Sequence, residues 1–76
     1  MYELYEVVIA QRLLSEKVRK GTRGTVLMAF TEPSVGYMVE FVDNEGNSLD
    51  VLTVKDIDIT KLPKTSAWME NEPDDS

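Results

Sequence analysis

Short apolar runs bounded by Gly, Pro, Asn or Asp follow one another along this chain, and no stretch keeps a helical period long enough for an amphipathic helix. Tyr5-Glu6-Val7-Val8-Ile9-Ala10 is rich in β-branched and aromatic residues and predicts a first strand. Gln11 to Lys20 is polar and basic, with Leu13, Leu14 and Val18 as isolated apolar positions. It reads as one helical turn or as an irregular loop that tucks these three inward. Gly21 and Gly24 then stand three apart before an apolar run, as in a turn that needs positive φ or close backbone approach. The following strand runs through Phe30, with Val26, Met28 and Phe30 expected to face the core.

Thr31 to Gly36 predicts a turn, because Pro33 cannot donate to a sheet ladder. Tyr37, Val39 and Phe41 alternate with Met38, Glu40 and Val42. Placing Glu40 in water sends the aromatic pair inward, so this is the clearest strand of the chain. Asp43 to Asn47 predicts a hairpin connection. Ser48 to Val54 predicts a fourth strand of open register with Asp50 facing water. Lys55 to Ile59 predicts one tight turn into a short last strand. Five strands with a one-turn helix before the last give an all-β fold, a small, partly open barrel of the SH3-like type over residues 1–59. Residues 60–76, with two prolines and an acidic end, have the composition of a flexible acidic tail. A core of this size is worth about 3–5 kcal/mol, so truncating Val26, Val39 or Phe41 is expected to threaten folding.

Composition narrows the chemistry. Seventy-six residues hold one domain, with no apolar run long enough for a membrane helix and no leader-like N-terminus, so a soluble cytoplasmic protein is expected. The absence of Cys and His removes thiolate nucleophiles, disulfides, imidazole bases and the commonest zinc ligands. The serines have no histidine base, and Asp56 with Asp58, or Glu40 with Asp50, are expected on exposed faces with nothing to raise a pKa. The loop from Asp43 to Val54 lacks the sixth-position Gly and twelfth-position Glu of a calcium loop. No catalytic residue, metal site or cofactor is expected, and the chain is read as a non-enzyme.

Charge is unevenly laid out. The net charge is -6, yet Arg12, Lys17, Arg19, Lys20 and Arg23 fall together with one acidic residue, Glu16, among them. Acidic residues dominate the remainder and end in Glu70, Glu72, Asp74 and Asp75. Overall acidity disfavours non-specific nucleic-acid binding, whereas the layout allows a local basic loop on an acidic body.

Lys20-Gly21-Thr22-Arg23-Gly24-Thr25-Val26, then Tyr37 to Asp43, Gly46, Leu49 to Val54 and Asp56 resemble the bacterial family named domain of unknown function 4926 over residues 2–59. The resemblance implies an SH3-like fold. Members of that family tend to lie beside genes for small toxin-like or uncharacterised proteins, which implies a partner or antitoxin role. It supplies no catalytic residues, and the tail lies outside its pattern. The glycine turn also resembles the KOW motif of ribosomal and transcription-elongation proteins, in which a basic loop on a small barrel touches RNA.

Two functions follow. In the first, the chain is a protein-interaction module, an antitoxin- or immunity-type partner of a basic, toxin-like protein. Trp68, with Met69, anchors the contact and Glu70, Glu72, Asp74 and Asp75 steer it; alternatively Trp68 folds back over the barrel. In the second, Arg12, Lys17, Arg19, Lys20 and Arg23 bind RNA or the ribosome. An accessory subunit of a larger enzyme is a third possibility. Short edge strands allow a monomer or a homodimer.

Overall fold

The computed structural model describes residues 2–62. These form β1 (Val7–Ala10), β2 (Arg23–Phe30), β3 (Gly36–Val42), β4 (Ser48–Val54), a single 3-10 turn (Asp56–Asp58) and β5 (Ile59–Lys61). All neighbours are antiparallel, in the order β4-β3-β2-β1-β5, so β4 and β5 are the two edges. Among the described residues no helix is long and apolar enough to cross a membrane.

A flat sheet in this order is geometrically excluded. Four inter-strand steps of about 4.8 Å would put β4 and β5 about 19 Å apart. The link between them is only Lys55 to Asp58, and three of its residues rise at about 2 Å each as a 3-10 turn. Such a link cannot cross a flat sheet, so the sheet must curl until its edges converge. The core records the curl, since Val8, Val26, Val39, Val54 and Ile59, one from each strand, lie in a single buried cluster with Ala10, Val18, Tyr37 and Phe41. The sheet is thus wrapped around one core while its edges remain unpaired with each other.

β3 carries the centre of that core. Tyr37, Val39 and Phe41 are buried, while Met38, Glu40 and Val42 are half-buried on the other face, as their alternation predicts. Tyr2 packs edge-on against Tyr37, with ring centroids 5.3 Å apart, and its hydroxyl donates to the Ile59 carbonyl at 3.1 Å. Burial is the leading cause that raises the Tyr2 pKa.

Two expectations about facing are corrected, the first by a bulge and the second by plain alternation. In β2, Val26 pairs with Val39 and Met28 with Met38, leaving Leu27 as the extra residue. The side-chain sequence therefore slips by one, and Met28 is exposed and Phe30 only half-buried. In β4, Phe41 pairs with Asp50 and Val42 with Ser48, leaving Leu49 unpaired. From Asp50 onward the ladder is regular, so Asp50 alternates onto the face of Leu52 and Val54 instead of facing water, half-buried, and accepts the Ser15 hydroxyl at 3.2 Å.

The two glycines of the 20–26 turn serve different needs. Gly21 has φ +93°, which an L-residue adopts only with strain, whereas Gly24 lies beneath the core of β3. A Cβ on Gly24 would sit 2.6 Å from Val39 Cγ1 and 2.9 Å from Phe41 Cδ1. Because both neighbours are fully buried, Gly24→Ala is expected to cost about 1–3 kcal/mol. Urea unfolding checks this, and an unchanged midpoint would mean that the β2–β3 packing is looser than described.

Candidate functional site

The long connection from β1 to β2 is an irregular loop, not a helical turn. Its anchor is Val18, fully buried, with Leu14 half-buried and Leu13 exposed. Leu14 N–H donates to the Val18 carbonyl at 2.9 Å and Val18 N–H to the Ser15 carbonyl at 3.2 Å, closing the loop tip on itself. The return limb is a tight turn in which Thr22 N–H donates to the Arg19 carbonyl at 3.0 Å and the Thr22 hydroxyl accepts Arg19 N–H at 3.1 Å. Gly21, at the third position, supplies the positive φ that a type II turn requires. Two bonds to Ala10 clamp this turn against the end of β1.

Asp58 holds the base of the loop. Its Oδ1 accepts from Arg12 Nε at 2.9 Å and pairs with an Arg12 terminal nitrogen at 2.9 Å. Its Oδ2 accepts Lys55 N–H at 2.9 Å, and its backbone carbonyl accepts Gln11 N–H at 2.8 Å. The Lys55 amide first, and then the Arg12 guanidinium, hold this carboxyl below its ordinary range against the opposing effect of burial. This corrects the expectation of an exposed Asp56 and Asp58 pair: Asp58 is buried, and its pKa moves down, away from acid–base use. Glu40 faces Val51 across the β3–β4 ladder instead of Asp50. The sequence carried one signal for the Asp58 latch, a carboxylate three residues after the start of a turn, where it can reach back to the first free N–H.

Beside this latch the structure builds a cleft of about 720 Å³ between the 19–22 turn and the β3–β4 hairpin. Arg19, Lys20 and Arg23 supply its basic groups and Ile9, Val42, Leu49 and Leu62 its apolar floor, in which Arg23 stands between Ile9 and Val42, and Asp43 with Asn44 lie on the hairpin side. Asp43 is turned into its own hairpin, where it accepts Glu45 and Asn47 N–H, each at 2.9 Å. These bonds, the one from Asn47 foremost, lower its pKa and keep it ionised. Gly46, with φ +87°, closes the hairpin through a 3.1 Å bond to the Asp43 carbonyl.

Of the five basic residues singled out by sequence, the structure therefore gathers Arg19, Lys20 and Arg23 around one cleft. Arg12 is taken up by Asp58, and Lys17 lies exposed on the loop tip away from the cleft. Among the described residues, none of Lys17, Arg19, Lys20 and Arg23 forms an ion pair. Trp68, Met69, Glu70, Glu72, Asp74 and Asp75 lie outside the described residues. Sequence reasoning missed the aliphatic floor, because Ile9, Val42 and Leu49 read as ordinary strand positions until the strand register sets Ile9 and Val42 on either side of Arg23.

A family model described as a domain of unknown function (DUF4926) matches residues 3–61. The chain belongs to the DUF4926 family. No curated protein and no solved structure matches it. The matched residues take in every strand, the Asp58 latch and the basic residues of the cleft, and residues 62–76 lie beyond them.

Because the folded pKa of Asp58 is depressed, its contribution to stability is present above the ordinary carboxylate range and is lost as pH falls through the folded value. Asp58→Asn removes that charge and sets an NH2 group against either Arg12 or the Lys55 amide. It is expected to cost about 2–3 kcal/mol at pH 7 and to flatten the acid limb of the stability curve. Urea midpoints between pH 3 and pH 7 check this, and parallel curves for the two proteins would refute the latch.

Proposed function

We propose that this chain is a non-enzymatic protein-interaction module whose basic cleft takes an acidic peptide segment. The observation that carries the reading is the meeting of Arg19, Lys20 and Arg23, without carboxylate partners among the described residues, over a floor of Ile9, Val42, Leu49 and Leu62. Such a surface offers charge for steering and apolar area for affinity. RNA shares the charge complementarity, but among the described residues the cleft presents no aromatic ring on which a base could stack. This favours a peptide.

An antitoxin- or immunity-type role belongs to the same class. In that role a basic, toxin-like partner would meet the chain's acidic side, with Trp68, Met69 and the carboxylates Glu70, Glu72, Asp74 and Asp75 as the contact. The net charge of -6 supports attraction to such a partner.

The test is fluorescence anisotropy with a labelled oligo-glutamate peptide and the full chain in low salt. Binding is expected to weaken by about tenfold or more in the Arg19→Glu, Lys20→Glu, Arg23→Glu triple variant, and to fade as salt shortens the Debye length to a few Å. Arg12 and Lys17 variants should matter far less. An oligo-uridine RNA that binds the same residues more tightly than the peptide would transfer the function to nucleic acid.

A further inference from the structure

The polypeptide leaves the described domain through the wall of its own basic cleft. Leu62 N–H is bonded to the Val7 carbonyl at 3.3 Å, and the Leu62 side chain contributes to the cleft floor. The next fourteen residues, 63–76, contain Trp68 and Met69 followed by Glu70, Glu72, Asp74 and Asp75, with Lys64 the one basic residue among them. Apolar anchor and acidic stretch thus occur in the combination that the floor and basic rim can accept.

We propose that residues 63–76 of this chain occupy the cleft intramolecularly, with Trp68 against the apolar floor and the acidic residues 70–75 facing Arg19, Lys20 and Arg23. The inference rests on the reading of the cleft as a site for acidic segments and names its resident occupant. Reach poses no obstacle. Trp68 is six residues beyond Leu62, a span of up to about 20 Å when extended, and Leu62 is already at the cleft. A tether this short gives an effective concentration of about millimolar, so even a weak contact is well populated. The domain then carries its own competitor, and an acidic partner must displace the tail to bind. Displacement also releases Trp68, Met69 and the acidic residues for a contact of their own.

The full chain provides its own reporter, because Trp68 is its one tryptophan. Acrylamide quenching of Trp68 should be markedly weaker in the native chain than in a free peptide of residues 63–76. It should rise to the peptide's level in a Glu70→Gln, Glu72→Gln, Asp74→Asn, Asp75→Asn variant and in the Arg19→Glu, Lys20→Glu, Arg23→Glu variant. The first of these leaves the folded domain untouched, so the test holds even if the second folds poorly. The neutralised tail should also tighten binding of the oligo-glutamate peptide by about tenfold or more. Trp68 as open to quencher as in the free peptide, with equal oligo-glutamate affinity for native and neutral-tailed chains, overturns the docked tail while leaving the cleft a peptide site. Absence of oligo-glutamate binding to either chain removes the cleft reading itself, and Trp68 protection that persists in both variants places the indole elsewhere and overturns the proposal.

Discussion

Everything in this domain depends on four residues having to join opposite edges of a five-stranded sheet. Lys55 to Asp58 connect β4 to β5, which stand at the two ends of the strand order, and so short a link permits only a curled sheet. Asp58 makes that link hold. Through one side chain and one carbonyl it ties the 3-10 turn to itself, to Gln11 and to Arg12, joining the last turn to the end of β1. A small core cannot supply much stability, so a charged, multiply bonded carboxylate at the seam is a large fraction of what keeps the sheet wrapped. The cleft lies on the opposite face from this core. The register sets Ile9, Arg23 and Val42 side by side on the outer face of β1, β2 and β3, where the 19–22 turn and the start of the β3–β4 hairpin flank them.

Much of the fold could be read from the sequence, and the places where it could not have specific causes. β3 was fully legible because Tyr37, Val39 and Phe41 alternate with Met38, Glu40 and Val42 without interruption, so one register satisfies both faces. The Asp43–Asn47 hairpin was legible because Asn and Gly in a short polar stretch have few alternatives. β2 and β4 were legible as strands but not in their facing: β2 has an extra apolar residue, Leu27, and in β4 the run Leu49, Val51, Leu52 and Val54 puts apolar residues on both faces. A bulge at a leucine leaves no trace in composition, and only the partner strand reveals it. Asp50 and Asp58 failed for a related reason: a carboxylate reads as exposed until the structure supplies the donors that repay its burial.

The candidate site was legible as charge but not as shape. The basic cluster from Arg12 to Arg23 stood out against the acidic remainder, yet the fold divides it, giving Arg12 a structural partner and gathering Arg19, Lys20 and Arg23. An acidic body with a basic cleft is a polarised surface, and a polarised surface orients an approaching chain as well as attracting it. The DUF4926 match covers the strands, the latch and Arg19, Lys20 and Arg23 of this chain, whereas Leu62 and the acidic segment after it lie beyond the match.

The most direct measurement is amide chemical-shift mapping of the full chain, with its acidic tail residues neutralised, during titration with an oligo-glutamate peptide. Shifts confined to the amides of residues 19–23, 43–44 and 62, saturating together, are the result expected of a peptide seated in the cleft. Shifts centred on the outer face around Met28 and Val51, or on the second cleft between the 32–36 turn and Lys55, would contradict it.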